Sequence, residues 1–154
     1  ISRYMPKVKP SLLDIKFIKM AMQMASESYN GKFSICKPIR ASETNEIYKP
    51  KFYCIEYASN LYVVTRGSKS DVDFMTDLDC IEVKKNINGK EIYFHRGFYE
   101  ASNYVFNSVF DLLNKKYQTI YFIGHSYAAA VSSILTLLTK SDIRWCFNVE
   151  IGQL

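Results

Sequence analysis

The chain has 154 residues, enough for one domain with a substantial core and too few for two ordinary ones. Apolar residues make up 48% and charged residues 23%, a balance that excludes wholesale disorder, and 12 Tyr, 10 Phe and 1 Trp predict a bulky core. The net charge of +5 is spread out, with Lys84-Lys85 and Lys115-Lys116 the only adjacent basic pairs, which argues against nucleic acid as a partner.

No apolar run approaches the length of a membrane helix, so no transmembrane segment is expected. The opening Ile1-Ser2-Arg3-Tyr4-Met5-Pro6 has no signal-peptide apolar region and no Met at position 1, as expected of a fragment or a processed form. Cys36, Cys54, Cys80 and Cys146 lie far apart, with neither a CxxC pair nor zinc spacing. They read as free, mostly buried thiols in a reducing compartment. Together with the missing signal peptide, this favours the cytoplasm over secretion.

Residues 12–29 read as a helix, with Leu12, Ile15, Ile18, Met22 and Ala25 as the packing face and Lys16, Lys19, Gln23 and Glu27 opposite. Asn30-Gly31 ends it. Residues 32–50 read as irregular, bracketed by Pro38 and Pro50. Phe52–Ala58 and Leu61–Arg66 read as strands of a hairpin turning at Ser59-Asn60, and Asn88-Gly89 marks a second hairpin. From Phe98 to Tyr117 the period becomes helical, with Phe98, Ala101, Val105, Val109 and Leu112 on one side. Thr119–Gly124 is a continuous apolar run, as a buried parallel strand requires. Ala128–Thr139 is a helix of small residues, and Trp145–Ile151 a further strand. The order predicts an α/β fold: a mostly parallel sheet with antiparallel opening strands and flanking helices.

The stretch Ile123-Gly124-His125-Ser126-Tyr127-Ala128-Ala129 carries the chemistry. A buried strand runs through Gly-His-Ser directly into a helix, the setting of a nucleophile elbow. A sharp turn there projects the serine alone, and the amide of Tyr127 points from the helix N-terminus toward a developing oxyanion. On this stretch alone, Ser126 serves equally as a plain helix N-cap.

Other segments decide between the two. Val63-Val64-Thr65-Arg66-Gly67-Ser68, Asp73-Phe74-Met75-Thr76-Asp77-Leu78, His95-Arg96-Gly97-Phe98 and Gly124-His125-Ser126 follow one another in that order. This order resembles the class 3, fungal-type lipases of the α/β-hydrolase superfamily over about residues 52–153, and Glu150-Ile151-Gly152-Gln153 is similar to the start of a further family segment. The resemblance implies an incomplete α/β-hydrolase domain over 52–154, its C-terminal part absent, with residues 1–51 as a helix and irregular segment packing on it. Ser126 then stands at the nucleophile. Ser68 stands at the oxyanion hole, by amide and hydroxyl, and the Tyr127 backbone amide is its second donor. Phe74, in the lid-like segment 69–78, contacts substrate. His95 and His125 are motif residues with scaffolding roles, because His125 and Ser126 face opposite sides of the strand end. No cofactor or metal is implied. The implied partner is a lipid ester, met at a membrane or lipid-droplet surface.

Two departures bear on activity. Ala128 and Ala129 replace the glycines that follow the family's elbow, placing methyl groups where helix and strand approach closely. After Ser126 the acidic residues are Asp142 and Glu150, and no histidine follows. The superfamily order of Ser, Asp, His is therefore not completed, and a serine without a base is a weak nucleophile. The expectation is an N-terminal portion of a longer serine ester hydrolase, inactive by itself. The alternative is a lipase-like domain that binds a lipid or protein partner without turnover. Asp71, Asp73, Asp77 and Asp79 resemble a calcium loop, but Met75 and Thr76 break the ligand pattern, and a solvated acidic loop is expected instead.

Overall fold

Parallel strands buried on both faces need helices on both sides, and the chain supplies them. The computed structural model describes residues 12–68, 81–139 and 144–149. In chain order these form α1 (Leu12–Glu27), β1 (Arg40–Ala41), β2 (Phe52–Tyr57), β3 (Asn60–Thr65), β4 (Glu82–Ile87), β5 (Lys90–His95), α2 (Arg96–Leu113), β6 (Thr119–His125), α3 (Tyr127–Leu138) and β7 (Arg144–Val149). Five strands make one sheet in the order β1-β2-β3-β6-β7, antiparallel from β1 to β3 and parallel from β3 to β7. The β4–β5 hairpin is a separate two-stranded sheet.

Alternation along the central strands divides the core in two. Leu61, Val63, Ile120 and Phe122 face α2 and α3, against Ala101, Val105, Val109, Val131 and Leu135. Tyr62, Val64, Tyr121 and Ile123 face α1, against Ala21, Met24 and Ala25. All six residues of β3 are buried, so neither face of that strand is available to solvent. Ser102 ties the two helices of one layer together, its hydroxyl donating to the Phe98 and Val131 carbonyls.

The structure shifts three local expectations. The first turn sits at Ala58-Ser59, both at positive φ (50° and 66°), so Asn60 is already paired with Tyr57. A short strand, β1, pairs with β2 inside the stretch expected to be irregular. The packed face of α1 is rotated: Ala21, Met24 and Ala25 are buried, whereas Ile15 and Ile18 are 36% and 41% exposed. The sheet here offers stacked rings, Tyr62 on Tyr121 with centroids 5.0 Å apart, and small residues let the helix lie closer to them than isoleucines would. The second hairpin turns at Asn88-Gly89 as expected, with φ of 53° and 80°. Phe74, the segment 69–80 with its aspartates, and residues 150–154 lie outside the described residues.

Candidate active site

β6 ends at His125 and α3 begins at Tyr127, leaving a single residue to reverse the chain. That residue, Ser126, has φ 59° and ψ −126°, a region L-residues rarely occupy. Its carbonyl accepts from the Ala129 amide at 2.9 Å, starting the helix, while its side chain makes no capping bond. The helix-cap alternative for its hydroxyl is therefore set aside. Such a conformation costs on the order of 1–3 kcal/mol and persists only where its surroundings over-determine it. The surroundings here are β6, hydrogen-bonded on both sides to β3 and β7, and α3, which covers the strand end.

Gly124 makes this turn possible. A Cβ at Gly124 would lie 2.1 Å from the Ala128 carbonyl oxygen and 2.3 Å from its carbon. The close approach is thus between the Gly124 backbone and the carbonyl of Ala128, and Ala128 itself is fully buried within the helix. Gly124 therefore has no room for a side chain.

A second close approach brings in the loop after β3. The Arg66 amide donates to the Lys51 carbonyl at 2.8 Å, directing the chain past the end of β2. A Cβ on Gly67 would lie 2.6 Å from the His125 carbonyl oxygen and 2.5 Å from the Tyr29 hydroxyl. Gly67 therefore packs directly on the last residue of β6, and Ser68, the next residue in the chain, is half-buried.

The side chains of Tyr127 and both histidines hold this arrangement in place. Tyr127 is 3% exposed; its hydroxyl donates to the Ile47 carbonyl and its ring meets that of Phe98 at 5.8 Å. Burial pushes its phenol well above the usual range. His95 caps α2, its Nδ1 accepting from the Phe98 amide at 3.3 Å. The Nδ1 atom of His125 is 2.7 Å from the Tyr29 hydroxyl. Both histidines thus take scaffold positions. Tyr29 was not identified from sequence, because no local motif marks it and its partner is 96 residues away. The anchoring role of the Tyr127 side chain was also missed, since the elbow requires only its amide.

Residues 62–144 match the sequence model of class 3 lipases, more than half of the chain. The chain belongs to the class 3 lipase family. Among solved structures it is similar to the Rhizomucor miehei triacylglyceride lipase, with a TM-score of 0.69 and 20% identity over 90% of this chain and 62% of that one. It is likewise similar to a triacylglycerol lipase described as having a serine protease triad as its catalytic centre, with a TM-score of 0.70 and 19% identity over 90% and 62% of the two chains. A Yarrowia lipolytica lipase matches with a TM-score of 0.67 and 20% identity over 94% and 59%. At these identities the likeness shows the fold, that of the α/β-hydrolases. The class 3 lipase chain described here spans about three-fifths of the length of these neighbours. No curated protein sequence matches it significantly. Among its described residues, no helix is long and apolar enough to cross a membrane.

Proposed function

We propose that this class 3 lipase chain carries the nucleophile and the oxyanion hole of a serine carboxylic-ester hydrolase acting on acylglycerols or related lipids. The observation that carries the reading is Ser126 at φ 59°, ψ −126° between a buried strand and a helix, with its side chain excluded from capping. The Ser126 Oγ attacks the ester carbonyl while its proton passes to a base. The carbonyl π electrons move onto oxygen, where the Ser68 amide, the Ser68 hydroxyl and the Tyr127 amide receive the charge. α3 directs its positive end at the same point. Collapse expels the alcohol with a proton, and water then hydrolyses the acyl-serine.

None of the described histidines is assigned as the base. No histidine follows Ser126, and His95 and His125 are committed to Phe98 and Tyr29. Phe74 and its segment are proposed as the substrate-covering lid, with contact at a lipid surface. The binding-only alternative rests on the Ala128-Ala129 departure and on the missing histidine; the first ground is weakened because Ser126 keeps its strained conformation with both alanines in place.

The test is hydrolysis of a short-chain nitrophenyl ester by the full-length protein. Ser126→Ala is expected to lower kcat by about 10⁴-fold or more. Ser68→Ala, which keeps the amide and removes one donor, is expected to cost about 10²-fold. Wild-type turnover that survives Ser126→Ala would overturn the reading.

A further inference from the structure

The geometry points to Tyr29 as a positioning residue for the oxyanion hole, an inference that rests on the ester-hydrolase reading of Ser126. Tyr29 lies just beyond the end of α1, outside the 62–144 stretch that matches the family. The backbone there is fixed by the turn that closes the helix, with the Ser28 and Gly31 amides donating to the Met24 and Glu27 carbonyls at 2.9 Å each. From that point the ring reaches the carboxyl end of β6, its centroid 6.0 Å from the His125 ring and inclined at 68°.

The hydroxyl meets both parts of the hole at once. It is 2.7 Å from the Nδ1 of His125, the residue directly before the nucleophile. A Cβ on Gly67, the residue directly before Ser68, would fall 2.5 Å from the same oxygen. One oxygen atom from a third segment therefore lies against the residue preceding each donor segment. The hole works only if its two donor segments keep their spacing around an oxygen that carries charge in the transition state. An error near 1 Å in such a placement can cost about 10²-fold in rate. His125 is 7% exposed and the bond is part-buried. Tyr29 touches no reacting atom in this scheme; it fixes the distance between the groups that do.

The test uses Tyr29→Phe in the full-length protein, which keeps the ring and removes only the hydroxyl. With a short-chain nitrophenyl ester, kcat is expected to fall about 10-fold with KM within twofold of wild type. Affinity for an alkyl trifluoromethyl ketone, whose serine adduct places an oxyanion in the hole, should fall by the same factor. Affinity for the matching methyl ketone should hold. In a Ser68→Ala background the effect of Tyr29→Phe should shrink, because one of the two positioned segments has already lost a donor. Ser126-dependent turnover with kcat and trifluoromethyl-ketone affinity unchanged by Tyr29→Phe would overturn this inference alone. Equal losses for both ketones, or a variant that does not fold, would make the bond a general structural one and also overturn it. Wild-type protein with no Ser126-dependent turnover would overturn the hydrolase reading and this inference with it.

Discussion

At the scale of single residues, the elbow depends on what Gly124 lacks. The carbonyl of Ala128 occupies the space where any side chain at Gly124 would begin, and it belongs to a helix backbone that cannot rotate away. Gly124→Ala is therefore expected to destabilise the fold by about 3 kcal/mol, at the upper end of overpacking costs. Ser126 should lose its strained conformation with it. Thermal unfolding and ester hydrolysis measured together check this, and a variant of wild-type stability and activity would show that the helix can shift without disturbing the turn. The glycine was visible in the sequence as part of Gly-His-Ser. What it packs against, the carbonyl of Ala128, was not.

At the scale of elements, β1 is only two residues long, pairs with β2, and is tied to α2 by one arginine. The Arg40 guanidinium donates to both Asp111 oxygens at 2.7 and 2.8 Å and to the Ser108 carbonyl at 2.9 Å, joining the sheet edge to α2. Its hydrogen bonds hold the Asp111 carboxyl down at about 2. An unfolded aspartate titrates near 3.9, so the folded form binds fewer protons between these values. The contribution is present above about pH 4 and is lost as the pH falls toward 2. Asp111→Asn should lower Tm slightly at pH 7, the carboxylate being exposed, and that deficit should close by about pH 2. A constant deficit in thermal melts across this range would assign the effect to something other than the ion pair. Elements set by local chemistry were legible beforehand: the Asn88-Gly89 turn, the buried face of α2 and the apolar run of β6. β1 and the rotated face of α1 were not, because each is chosen by the partner surface and not by its own period.

At the scale of the molecule, the sheet delivers the segments of the candidate site to one edge. β3 and β6 run parallel, so the loop after β3 and the elbow after β6 emerge together at their carboxyl ends, where open α/β sheets hold their ligands. The turn after α1 reaches that edge with Tyr29 and the segment before β2 reaches it with the Ile47 carbonyl, one from each face of the sheet. The order of motifs made the family legible in the sequence. The long-range contacts that hold the elbow were not legible, since they join residues 80 and 96 positions apart.

The central claim, that Ser126 is the nucleophile of an ester hydrolase, is tested most directly by labelling. The full-length protein would be treated with an alkyl nitrophenyl phosphonate, and the adduct located by peptide mass mapping alongside residual ester hydrolysis. The account predicts one phosphonyl group per chain, on Ser126, with one nitrophenolate released and activity lost in step with labelling. An adduct on another residue, or hydrolysis that persists once Ser126 is fully labelled, would contradict it.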